Sequence, residues 1–128
     1  MSENSSIRLT IAFNDPDLDR EELEEQAQNL LTQMKDLRDA GEVEAVDRVL
    51  DPNPPEGNKA VGAILVGLLT AQVNKENAQR VMGFLGDRLG NKAIELEVEA
   101  NGKKLKVKAS SREELMAAIE GAQKFVAA

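Results

Sequence analysis

Ile7, Leu9, Ile11 and Phe13 alternate with Arg8, Thr10 and Ala12 near the start of the chain. A period of two with branched residues predicts a strand buried on one face. Asp15-Pro16 breaks the pattern. Asp19 and Glu22 then have capping-box spacing, and Glu21, Glu22, Glu24 and Glu25 put negative charge where a helix N-terminus favours it. Leu23, Ala27, Leu30, Leu31, Met34 and Leu37 recur at helical spacing, and Gly41 marks the helix end. Val43 to Leu50 reads as a second strand. Strand, helix and strand in succession predict a parallel pair joined by a right-handed crossover.

Residues 51 to 58, Asp-Pro-Asn-Pro-Pro-Glu-Gly-Asn, are a loop, because prolines at this density exclude regular structure. From Val61 the pattern turns helical. Ile64, Leu68, Ala71, Lys75, Ala78, Met82, Leu85 and Leu89 step by fours and threes, which predicts one long helix closed by Gly90. A break near Asn74 is the alternative. Ile94 to Ala100 and Lys103 to Ala109 flank Asn101-Gly102, the strongest short hairpin signal. A two-residue turn pairs Ala100 with Lys103. Val98 then faces Leu105, Leu96 faces Val107 and Ile94 faces Ala109, while Glu99, Glu97 and Glu95 meet Lys104, Lys106 and Lys108. Each such pair adds roughly 0.2–1 kcal/mol over a neutral reference. Ser110 to Glu114 carries doubled capping spacing, and Leu115, Ala118, Ile119, Ala122, Phe125 and Val126 follow as a last helix. The expected fold is a single α+β domain over residues 7–128 after a flexible N-terminus of residues 1–6. Its expected order is β-α-β-α-β-β-α, with three helices on a four-stranded mixed sheet.

Composition narrows the chemistry. The 128 residues include no histidine, cysteine, tyrosine or tryptophan. Imidazole bases, thiol nucleophiles and phenols are therefore unavailable, and the serines have no base nearby in sequence. The reading is non-enzymatic, with no catalytic residue, metal or cofactor expected. Sixteen basic and 23 acidic residues give a net charge of −7, which works against nucleic-acid binding. The polar Met1–Ser6 segment lacks a signal-peptide pattern, and the cysteine-free composition fits a reducing compartment, so a cytoplasmic protein is expected.

Four segments invite sharper readings. Asp15, Asp17 and Asp19 alternate as calcium ligands do, but Arg20 and Gln26 stand where an EF-hand needs glycine and glutamate, so capping is preferred. Lys103, Lys104, Lys106 and Lys108 look like a nucleic-acid patch, but the hairpin register sets three of them against glutamates and no stacking aromatic is near. Gly57-Asn58-Lys59 lacks the P-loop spacing, yet a helix N-terminus there could hold an anion of a ligand or partner. A small-molecule or anion-binding regulatory domain using this loop is the alternative function. Val61 to Leu69 is apolar on every face but too short to cross a membrane. Such a helix is either buried on both sides or turns one side, with Leu65 and Leu69, toward a partner or a second copy. Gly62, Ala63 and Gly67 would permit close approach.

The segment from Asp51 to Ala63, a proline-rich loop with Gly57 and Lys59 entering an apolar stretch, resembles the effector-associated constant component family. The Ile94–Ala109 hairpin with its turn at Gly102, and the preceding helix ending near Leu89, are similar too. The resemblance implies a small non-enzymatic component of prokaryotic conflict (immunity) systems. Such components are thought to accompany variable effectors, caspase-like or trypsin-like peptidases among them, and NTPase regulators. It implies no catalytic residues, and it offers Pro54, Pro55, Gly57, Lys59 and Gly62 as a loop that contacts a partner.

Overall fold

The computed structural model describes residues 6–51 and 64–127. Eight elements follow in order: β1 (Ser6–Phe13), α1 (Arg20–Asp39), β2 (Ala45–Leu50), β3 (Ile64–Asn74), α2 (Lys75–Arg88), β4 (Ile94–Ala100), β5 (Lys103–Ala109) and α3 (Arg112–Ala127). The strands form a five-stranded sheet in the order β2-β3-β1-β4-β5, and every neighbouring pair is antiparallel. This corrects the expected four-stranded mixed sheet. β1 and β2 do run in the same direction, since each is antiparallel to β3. They do not touch, because β3 lies between them and makes β1-α1-β2 a split crossover.

The second correction concerns Ile64 to Asn74, expected as the first half of a long helix and found as β3. Leu69, Ala71 and Val73 point into the core, and Leu68, Thr70 and Gln72 point away. That is strand alternation, and it coexists with the four-three spacing because leucine and alanine fit both patterns. Long apolar runs do not separate the two by periodicity alone. The real boundary is Asn74, whose side chain accepts a hydrogen bond of 2.8 Å from the Asn77 N–H and caps α2.

The remaining elements form for the reasons their sequences suggest. Asp19 and Glu22 complete a reciprocal capping box at the start of α1. At its end the Gly41 N–H bonds to the Arg38 carbonyl and the Glu42 N–H to the Leu37 carbonyl, a Schellman closure. The β4–β5 register matches the expected pairs at every position. Asn101 and Gly102 both take positive φ, 56° and 77°, as the mirror-image turn requires. The ionic contacts are Lys108 with Glu95 at 3.9 Å and Lys104 with Glu97 at 3.5 Å, so Lys104 leans diagonally rather than straight across to Glu99.

All three helices cover one face of the sheet. Ile7, Leu9, Ile11 and Phe13 of β1, Leu69, Ala71 and Val73 of β3, and Ile94, Leu96 and Val98 of β4 pack there on one continuous core. From above come Leu30, Leu31 and Met34 of α1, Val81, Met82 and Leu85 of α2, and Leu115, Ile119 and Ala122 of α3. The opposite face is mostly polar, with Ala12 and Leu68 as apolar positions on β1 and β3. One row across it reads Ala45, Gln72, Arg8, Glu99, Lys104; the next reads Asp47, Thr70, Thr10, Glu97, Lys106. Among the described residues no helix is long and apolar enough to cross a membrane.

Candidate interaction surfaces

The structure redistributes the residues expected to meet a partner. Pro54, Pro55, Gly57, Lys59 and Gly62 lie outside the described residues. Leu65 and Leu69 belong to β3, so neither lies on a helix face. Leu69 is fully buried against the core and offers no surface. Leu65 is half-buried, and its carbonyl accepts a hydrogen bond of 3.3 Å from Arg48 Nη2.

That contact belongs to a clamp at the β2–β3 end of the sheet. Arg48 pairs with Leu69 across the ladder, and the next pairing is Leu50 with Ile64, so β3 bulges between them. The bulge is possible because Gly67 adopts φ 77°, and a Cβ there would come within 3.1 Å of the Phe13 carbonyl oxygen. A bulge leaves backbone groups without ladder partners, and Arg48 supplies them. Its Nε donates to the Leu68 carbonyl at 2.8 Å and its Nη2 to that of Leu65. The same guanidinium holds both Glu24 carboxylate oxygens, Nη2 to Oε1 at 2.7 Å and Nη1 to Oε2. Glu24 Oε1 in turn accepts from the Gly67 N–H at 3.2 Å. The Arg48 side chain is 9% exposed and that of Glu24 28%. The Arg48 hydrogen bond, helped by the Gly67 N–H, holds the Glu24 carboxyl below its ordinary value of 4.5, against partial burial, which acts in the opposite direction. This clamp fastens α1 to the sheet. Its charges are used up internally, so it reads as structure.

The aspartates before α1 are spent on local geometry as well. Asp15 Oδ1 accepts from the Asp17 N–H at 2.9 Å, and Asp19 caps the helix. Among the described residues no group of three or more acidic side chains is arranged to hold a metal ion.

A different surface is open. α2 and α3 pack side by side, tied at one end by two glutamines: Gln79 Nε2 donates to the Gln123 carbonyl at 3.0 Å, and Gln123 Nε2 to the Gln79 carbonyl at 3.2 Å. Further along, α3 lies over Gly86, with Ile119 within ordinary contact of where a Cβ would sit. Between these points lies a groove walled by Phe84, Met116 and Ile119, with Leu37 at one side. Its rim is charged, with Arg80, Glu42, Asp87 and Glu120. Arg80 reaches Glu42 at 3.8 Å, and Arg88 stacks over the Phe84 ring with its guanidinium carbon 5.1 Å from the centroid. Met116 is 51% exposed, one of two large apolar side chains so placed among the described residues; the other is Leu50.

Gly83 lines the groove, and an added Cβ there would meet nothing within 4 Å. Glycine inside a helix costs stability, and packing within the chain does not require it here. Gly83→Ala is therefore expected to stabilise the fold by about 0.5–1 kcal/mol in urea unfolding.

The sequence carried a signal for this groove. Met116 sits next to Leu115 but off the stripe of Leu115, Ala118, Ile119 and Ala122, so it had to face outward if that stripe was buried. Which helix would stand beside it was a tertiary matter. Compared with models of protein families, with curated proteins and with solved structures, the chain gives no match.

Proposed function

We propose that this chain is a non-enzymatic interaction component, an adaptor that associates with a variable effector protein in a prokaryotic conflict system. The observation that carries the interaction reading is the α2–α3 groove, where an exposed methionine and a half-buried phenylalanine flank an unfilled glycine notch inside a charged rim. Apolar anchors inside a polar rim are how protein interfaces are built, and methionine adapts to its partner's shape. The effector class, caspase-like or trypsin-like peptidases with an NTPase regulator, follows from the family resemblance. The cytoplasmic setting is part of the same proposal, in keeping with a chain that has no cysteine to oxidise.

The test is site-specific photo-crosslinking in cells of the source organism. A photoreactive residue at Met116 is expected to trap a peptidase or an NTPase. The same residue at Asp39, exposed and on another element, is expected to trap neither. Equal trapping from both sites, or only unrelated abundant proteins from Met116, would sink the reading. Gly83→Ala, which fills the notch while keeping the helix, should weaken the specific cross-link.

A further inference from the structure

β5 is an edge strand of the sheet. Among the described residues no strand lies beyond β5. The two-residue turn makes Ala100 and Lys103 a mutually hydrogen-bonded pair. In an antiparallel ladder such pairs alternate with non-bonded ones, so Lys103, Leu105, Val107 and Ala109 direct their backbone groups at β4. Lys104, Lys106 and Lys108 therefore direct theirs outward. These three also carry their ammonium groups on the open face of the sheet. On the helix-covered face, Leu105 and Val107 are only half-buried and continue the core toward the edge.

We propose that this edge binds an extended segment of a partner protein with alternating acidic and apolar residues, adding a sixth strand beside β5. The charge pattern selects the occupant. Lys106 has no ion pair among the described residues, and Lys104 and Lys108, which reach Glu97 and Glu95 at 3.5 and 3.9 Å, can each bridge to a second carboxylate on the open face, while the intervening apolar residues cover Leu105 and Val107 beside α3. The inner neighbour of β5 already demonstrates the fit: β4 reads Ile-Glu-Leu-Glu-Val-Glu-Ala in register with the same lysines. A second copy is a poor occupant, since two β5 strands side by side would set lysine against lysine. Edge lysines also deter indiscriminate pairing, so a partner bearing carboxylates gains selectivity from the same residues. The edge has no proline and no bulge to block it. This proposal stands independently of the α2–α3 groove.

The test uses the whole chain and a nine-residue synthetic peptide of alternating valine and glutamate, with an alternating valine and lysine peptide as control. Amide shifts on adding the glutamate peptide should concentrate at 103–109, and the outward amides of Lys104, Lys106 and Lys108 should gain protection from hydrogen exchange. Lys106→Glu should weaken binding about 10-fold, since one favourable pair is lost and one unfavourable pair gained, with the circular dichroism unchanged. Methylating alternate backbone nitrogens of the peptide should abolish binding in one register and spare it in the other. Four results would overturn the proposal: no shifts at millimolar peptide, equal binding of the lysine peptide, indifference to methylation, or shifts spread over the Arg8–Glu99 face.

Discussion

Replacing Arg48 with alanine is expected to lower the stability of this fold by about 3 kcal/mol, toward the small end of the range for breaking a buried ion pair. The loss should appear as a melting temperature lower by about 10 °C. The size follows from what would be stranded. Glu24 would keep its charge beneath α1 with the Gly67 N–H and the Gln28 side chain left to meet it, and the Leu65 and Leu68 carbonyls at the bulge would lose their donor. Arg48→Lys should recover little, because an ammonium cannot hold two carboxylate oxygens and two carbonyls in one plane. Acid should act on the same pair. The Glu24 carboxyl is held below 4.5 in the folded state, so its contribution is full above that value and is lost as pH falls through the lower, folded value. Glu24→Gln should remove that part of the acid sensitivity. Urea titrations between neutral and acid pH would read both effects, and an Arg48→Ala protein as stable as the wild type would show the clamp to be incidental.

Leu69→Ala is expected to cost about 3 kcal/mol or somewhat more, and Leu68→Ala about 1 kcal/mol, although the two are neighbours. Leu69 is fully buried, paired with Ile11 on one side and Arg48 on the other, and its removal leaves a cavity that the sheet cannot close. Leu68 lies on the open face, half-buried beside Ala12. A helical reading makes the opposite forecast. In the seam of Ile64, Leu68 and Ala71, Leu68 would be the core residue and Leu69 would stand off it. Comparing the two alanine variants by chemical denaturation thus tests the strand assignment of Ile64–Asn74, and a larger loss at Leu68 would overturn it.

The hairpin of β4 and β5 was fully legible because one local signal, Asn101-Gly102, fixed a register that six pairs of side chains then agreed with. The capping box of α1 and the caps of α3 by Ser110, Ser111 and Glu114 were legible for the same reason: each concerns groups three or four residues apart. β3 was not, because its residues suit two periods and the choice depends on partners far away in sequence. Two features pointed the right way. Gly67 in mid-run is a poor helix residue and a common bulge marker, and Asn74 is a good cap.

The partner surfaces divide likewise. The Asp51–Ala63 segment carried the family resemblance and most of the expected contacts. The two residues of that set that can be placed, Leu65 and Leu69, are taken up by the clamp and the core. The α2–α3 groove needed two helices, separated in the chain by a hairpin, to come together before Gly83 and Met116 could share a wall. By itself, the sequence determined the short-range elements, the acidic charge and the absence of imidazole and thiol chemistry, because these depend on neighbours along the chain or on composition. The tertiary structure alone decided that β3 is inserted between β1 and β2, that Arg48 and Glu24 meet beneath α1, and that among the described residues the β5 edge and the α2–α3 groove stay open. Those outcomes depend on which surfaces bury one another, and burial is settled by the whole chain at once.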